Sequence, residues 1–344
     1  KSFGPGSSFA NAIFPLTSQV LPNHAMYHHK ASYNQPHADT SSYSDVGLLV
    51  DATDVIRSSM PCLQAAHGLV WFTPFGAYAH QKEDQNFVAL TNWIGGGMLG
   101  FDYRGIRDAV IGIGGAYAYN HVNYAQNAGR ASFHQGFFTL YGSWNRKNFF
   151  VSAALWGGYY RLHNKRTTLN IITSTARVNG WQLTAHLELS TPFHPLGPHW
   201  FVIDPFIMTD WVSNWQGSVK ELGSAGLNIC FDSTYTSLLR TEIGLRFFES
   251  ISYRWGALIL QQKASFINKV PFQTQPQNAA FVASASSFNI DVFSNRTQNL
   301  GAVQLSTHLV PHRPKYPYGA LHYQGEFGSS FQSHLILFEI GKYF

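Results

Sequence analysis

Charge is scarce in this chain. Asp, Glu, Lys and Arg make up 12% of its 344 residues, about half the roughly 25% of an ordinary globular protein. Long hydrophobic runs are missing as well: no stretch of about 18 apolar residues offers a membrane-spanning helix. Two cysteines, Cys62 and Cys230, are too few for a disulfide framework. No dense Lys/Arg run marks a nucleic-acid footprint, although the formal net charge is +5. No basic segment followed by an apolar one stands after Lys1, so no signal peptide is legible, and an exported protein would be a processed piece of a longer precursor.

What is present is 45% hydrophobic residues, 15% aromatics and 30 glycines at a mean hydropathy of −0.12. A closed membrane barrel has such a composition, because lipid-facing and lumen-facing residues alternate and cancel in any hydropathy window. A soluble aromatic-rich β-sandwich, sugar-binding for example, has it too, and composition leaves both open.

Order along the chain separates them. Residues 1–44 are rich in Gly, Pro, Ser, Asn and His without a sustained period, which predicts a linker or passenger remnant. In segment 45–62, Val46, Leu49, Val50, Val55 and Ile56 have helical spacing, Asp45 is placed to cap and Pro61 to terminate. From Gly68 the period becomes two. Twelve strand candidates of about 11–17 residues follow, longer than the usual soluble strand of about 5–6 and sufficient to span a bilayer, which takes about 9–11. Tight turns are expected at Gly105–Arg107, Asn145–Lys147 and Ser250, and longer loops at 164–175, 215–233 and 267–295. Short and long connections mostly alternate, as in an up-and-down outer-membrane barrel. The fold class expected is all-β, a twelve-stranded antiparallel barrel with an N-terminal helix in its lumen.

The two faces read cleanly in two strands. Trp181, Leu183, Ala185, Leu187 and Leu189 oppose Gln182, Thr184, His186 and Glu188, and Leu239, Ile243, Leu245 and Phe247 oppose Arg240, Glu242, Gly244 and Arg246. Ionised side chains are costly against lipid and ordinary in a wet lumen. Asp204 and Asp210, six apart, share a strand face. With Glu188, Arg240, Glu242 and Arg246 they are expected to line the pore, either contacting the helix through Arg57 or simply solvating the lumen. Trp71, Tyr119, Trp144, Tyr159, Trp200 and Trp211 near strand ends suit interfacial aromatic belts, or ordinary packing. In the final SHLILFEIGKYF, the alternation sends Ile336, Phe338 and Ile340 toward lipid and pairs the last strand with the first near Val70.

This order of features resembles the translocator domain of autotransporters, type V secretion proteins of Gram-negative bacteria. The helix bearing Arg57 before GLVWFTPF, the Gly-x-x-x-Gly-x-Asp of GGMLGFD, YGSWNRKNFFVSAALWGGYYRLHNKR with Arg161 near its end, SSFNIDVFSNRTQNLGAVQL and the terminal Phe carry it, over residues 45–344. The resemblance implies a pore helix at 45–62, a translocator barrel at 63–344, export of the N-terminal passenger, and Phe344, Ile340 and Phe338 as a signal for the barrel-assembly machinery. Implied surroundings are the bilayer and lipopolysaccharide of a bacterial outer membrane, around a monomer. Lys342 departs from the aromatic common two residues before the end, and no Asn-Asn stands between Asp45 and Gly68 for self-cleavage. A small-solute porin is the alternative.

Catalysis has no support. His24/His28 and His308/His312 have i,i+4 spacing outside any helical pattern, with no third ligand near. Ser-rich segments lack a placed His and acid. No enzyme activity, cofactor, metal or nucleic acid is expected.

Overall fold

The computed structural model describes residues 68–83, 89–106, 109–146, 149–168, 172–193, 202–223, 228–274, 277–282, 287–290, 297–311 and 316–344. The helix expected at 45–62, with Arg57 and Cys62, and the segment 1–44 lie outside the described residues. Within them every regular element is a strand: β1 (Gly68–Gln81), β2 (Leu90–Ile106), β3 (Ala109–Tyr124), β4 (Gly129–Arg146), β5 (Phe149–Thr168), β6 (Ile172–Ser190), β7 (Val202–Gln216), β8 (Val219–Lys220), β9 (Ile229–Phe231), β10 (Thr234–Tyr253), β11 (Gly256–Thr274), β12 (Gln277–Phe281), β13 (Ser287–Ile290), β14 (Gln298–Pro311), β15 (Tyr318–Phe327) and β16 (Phe331–Tyr343).

Twelve of them close in the order β1-β16-β15-β14-β11-β10-β7-β6-β5-β4-β3-β2. Every pairing is antiparallel, including the seam, where Val70 faces Lys342 and Phe72 faces Ile340. The last rung joins the ends: Gly68 N–H donates to the Phe344 carbonyl and Phe344 N–H to that of Gly68, both at 3.1 Å. A closed wall leaves no unpaired strand edge, the only way a sheet can stand in hydrocarbon.

Side chains alternate accordingly. Leu99, Ile113, Phe138, Leu140, Leu155, Ile243, Leu305, Ile336 and Phe338 are among the exposed outward ones, and ionised outward residues such as Arg130, Arg177, Glu249 and Lys342 lie toward the strand ends. Inward residues are buried and differ around the ring. Along β1–β5 they are mostly small or aromatic, such as Trp71, Gly100, Gly112, Gly114, Phe133 and Trp156. Along β6, β7, β10, β11 and β15 they carry the charge.

At the end holding Gly68 and Phe344, β2–β3, β4–β5 and β10–β11 are joined by two residues each. The turn expected at Ser250 is displaced: Ser250 pairs with Ile259 and the ladder runs on to Tyr253↔Gly256. Arg254–Trp255 make the turn, with the Tyr253 and Trp255 rings stacked at 5.7 Å, and Gly256 suits the crossing because a Cβ there would meet the Val310 carbonyl at 2.4 Å. At the far end the chain is more ordered than its polar sequence implies. The loop expected at 164–175 is a hairpin extension, with Lys165 facing Thr175; threonines and isoleucine favour pleated backbone there. Residues 267–274 continue β11. Parts of the two longest connections form a second sheet, β13-β12-β9-β8.

Candidate functional site

The charged half of the inner wall holds two ion-pair clusters, centred on Arg240 and on Arg246, that share the Phe206 ring beneath Arg246 and Lys263. Arg240 on β10 donates to Asp210 on β7 (3.1 Å), to Glu242 two residues along its own strand, and to Glu326 on β15 (3.1 Å). Lys263 on β11 reaches Glu242 at 2.9 Å, and Lys269 reaches Glu326 at 2.9 Å. Arg246 donates to Glu188 on β6 (2.7 Å) and Asp204 on β7 (3.3 Å), its guanidinium 4.0 Å above the Phe206 ring. His186 Nδ1 lies 2.6 Å from Asp210, and Ser265 donates to Glu242 at 2.6 Å. Each of these strands contributes through the period of two, which stacks Arg240, Glu242 and Arg246 on one face. All of the charged members are buried, where charges persist only when paired and hydrogen-bonded.

A further polar node stands near the end that holds Gly68 and Phe344. Trp71 Nε1 donates to Asp102 (3.1 Å) and to the Tyr141 hydroxyl (3.0 Å), and Tyr141 donates in turn to Asp102. Tyr318 donates to Glu339, its ring 5.6 Å from Tyr343. Gly100 makes room for the indole: a Cβ there would sit 2.3 Å from the Trp71 ring. Trp71 is therefore an inward side chain, 1% exposed, and not part of an outer aromatic belt. Tyr119, Trp144, Tyr159 and Trp211 do face outward; Trp200 lies outside the described residues.

At the far end the second sheet folds against the inner wall. Val219 (β8), Ile229 and Phe231 (β9) and Ala279 (β12) share one buried cluster with Leu90, Val122, Phe133, Tyr160, Leu162 and Val178, inner-face residues of β2–β6. Arg166 clamps it with a two-pronged bond to Glu221 (2.9 and 2.6 Å), and Glu221 also accepts from Ile229 N–H at 3.0 Å. Thr175 and Leu222 exchange backbone bonds. Replacing Glu221 with alanine is expected to speed trypsin cleavage after the exposed Lys220 roughly tenfold, since a buried charged acceptor holding two donors is worth more than about 1.4 kcal/mol. A digestion time course checks it.

Of the residues named from the sequence, Asp210, Arg240 and Glu242 meet in one ion-pair cluster and Glu188, Asp204 and Arg246 in the other. Arg57 lies outside the described residues. Phe338, Ile340 and Phe344 lie on the outer face, with Phe344 65% exposed and stacked on Phe101 at 5.9 Å. Lys263, Lys269, Glu326 and Asp102 were not anticipated, although the alternation Gln261, Lys263, Ser265 in β11 carries the signal; Glu339 lies inward, as the alternation of the last strand implies. Cys230, on β9 at the far end, is a free thiol.

A family model described as the autotransporter beta-domain matches residues 70–309. No curated protein sequence matches the chain. Among solved structures, the translocator domain of the autotransporter NalP from Neisseria meningitidis is similar at 12% identity and a TM-score of 0.66, covering 81% of this chain and 89% of that one. The beta domain of the Bordetella autotransporter BrkA is similar at 14% identity and a TM-score of 0.60, covering 81% of this chain and all of that one. These likenesses match the twelve-stranded wall, and the family match spans most of it. The chain therefore belongs to the autotransporter beta-domain family, the outer-membrane barrels of type V secretion.

Proposed function

We propose that this barrel carries its own N-terminal segment across the outer membrane and holds it at the cell surface. Membership of the autotransporter family supports this, together with the polar, charge-paired inner wall facing a closed passage. No reaction or nucleotide is required; folding of the exported segment outside would supply the direction. Residues 45–62 are the segment that fills the lumen in this reading, against Asp204, Asp210, Glu188, Arg240, Glu242 and Arg246. Gly68, Phe344 and the two-residue turns lie on the periplasmic side in this reading, and the second sheet outside. Phe338, Ile340 and Phe344, outward beside the seam, form the surface offered to the barrel-assembly machinery.

An epitope placed after Lys1 tests it. On intact cells the epitope is expected to be accessible to antibody and to protease. An epitope protected until the outer membrane is permeabilised would defeat the export reading. Removing residues 1–62 is expected to raise single-channel current through the purified barrel several-fold.

A further inference from the structure

The outer face of β3–β6 is uneven in a way the export reading does not use. A cross-strand row of aromatics, Tyr117, Tyr159, Trp181 and Trp215, runs through partners paired Tyr117↔Gly136↔Tyr159↔Trp181↔Trp215. Their rings are exposed. Rings of this kind sit at the level where hydrocarbon meets head groups. Directly beyond that row, toward the far end, the outward positions turn basic: Arg161, then Arg177 and His163, then Arg130 and Lys165. His134 faces Arg161, His163 faces Arg177, and Arg130 faces Lys165 across their ladders.

Like charges directly opposite one another are destabilising, so cations concentrated in this way need an anion. Among the described residues this face supplies none. β3, β4 and β5 contain no Asp or Glu, and the single carboxylate of β6, Glu188, points inward to Arg246. Glu83, at the end of β1, accepts from Gln126 in the β3–β4 turn at 3.3 Å. Among the described residues no carboxylate pairs with Arg130, Arg161, Lys165 or Arg177. The only other cation of these far ends, Arg166, is committed inward to Glu221. The outward far-end positions of β7, β10, β11 and β14 carry no Lys or Arg, so the charge belongs to one sector of the wall.

We propose that this sector, Arg130, Arg161, Lys165 and Arg177 above the aromatic row, binds the phosphate groups of the outer-leaflet glycolipid, lipopolysaccharide. Guanidinium forks match phosphate oxygens two at a time, and neighbouring strands about 4.8 Å apart set the four cations at the spacing of a head group. The acyl chains then lie along the apolar wall below the aromatics. The inference rests on the far end being external, as in the export reading, but its test does not depend on export.

The test uses the full-length protein in detergent, titrated with bisphosphorylated lipid A and with the same lipid stripped of phosphate. The variant carries Arg130→Gln, Arg161→Gln, Lys165→Gln and Arg177→Gln, all outward and without a carboxylate partner among the described residues, and its heat-modifiable mobility confirms an intact barrel. Affinity for bisphosphorylated lipid A is expected to fall at least tenfold in the variant, while affinity for the stripped lipid stays equal in both proteins. Equal affinity of variant and parent for the phosphorylated lipid would overturn the site. So would equally tight, charge-dependent binding to phosphatidylglycerol vesicles, which would mean an unselective anionic surface. If the epitope after Lys1 stays hidden while lipid A binding holds, the export reading fails and this one stands.

Discussion

Arg240→Ala is expected to destabilise the barrel by about 3–5 kcal/mol, because it leaves buried carboxylates without their counter-ion. Three of them, Asp210, Glu242 and Glu326, meet at this one guanidinium. Lys263 and Lys269 still hold Glu242 and Glu326, but Asp210 would keep only His186. The measurement is the urea midpoint of heat-modifiable gel mobility, compared with the parent barrel. Arg240→Lys is expected to recover only part of the loss, since one ammonium cannot present the planar fork that reaches three strands. The double variant Arg240→Ala/Glu242→Ala should be less damaged than the sum of its singles, because each removes the other's burden of unpaired charge. An Arg240→Ala barrel with an unshifted midpoint would mean that water already solvates the network.

Trp71→Ala is expected to cost about 3–5 kcal/mol by opening a cavity at the seam strand. The indole fills the space left by Gly100 and Gly114 and holds Asp102 and Tyr141. Trp71→Phe keeps most of the volume and removes the N–H, so about 1–3 kcal/mol is expected from the bonds to buried Asp102 and Tyr141. The ranking alanine worse than phenylalanine worse than parent, read by the same urea titration, identifies packing as the larger share. Equal losses for the two would assign the effect to the N–H alone.

The strand wall was legible because its period of two is strict where one face is polar. Arg240, Glu242 and Arg246 show this on a single strand, and SHLILFEIGKYF shows it at the seam, where Ile336, Phe338 and Ile340 face outward and Leu335, Leu337 and Glu339 are buried. Belt and packing could not be told apart for Trp71 because β1 is apolar on both faces: Leu69 and Trp71 point in, Val70 and Phe72 out. Alternation carries no contrast there. The partners of Arg240 across the ring were hidden for another reason. Glu326 is 86 residues away, and which residues meet depends on every intervening turn, of which the one at Arg254–Trp255 was displaced from its expected place. The second sheet has strands of two to five residues, too short for any period to show.

The division of the inner wall into a glycine- and aromatic-lined half and a charge-lined half has a mechanical corollary. A segment passing through a uniform tube can spin about its own axis at no energetic penalty. Here the two halves behave like a keyway: a helix with one smooth side and one polar side has a single favoured angle of rotation, and turning it half a revolution sets apolar groups against Arg240 and Arg246. Substitutions that shift such a segment's polar stripe by one position, about 100° around a helix, should therefore be felt as strongly as substitutions in the wall itself.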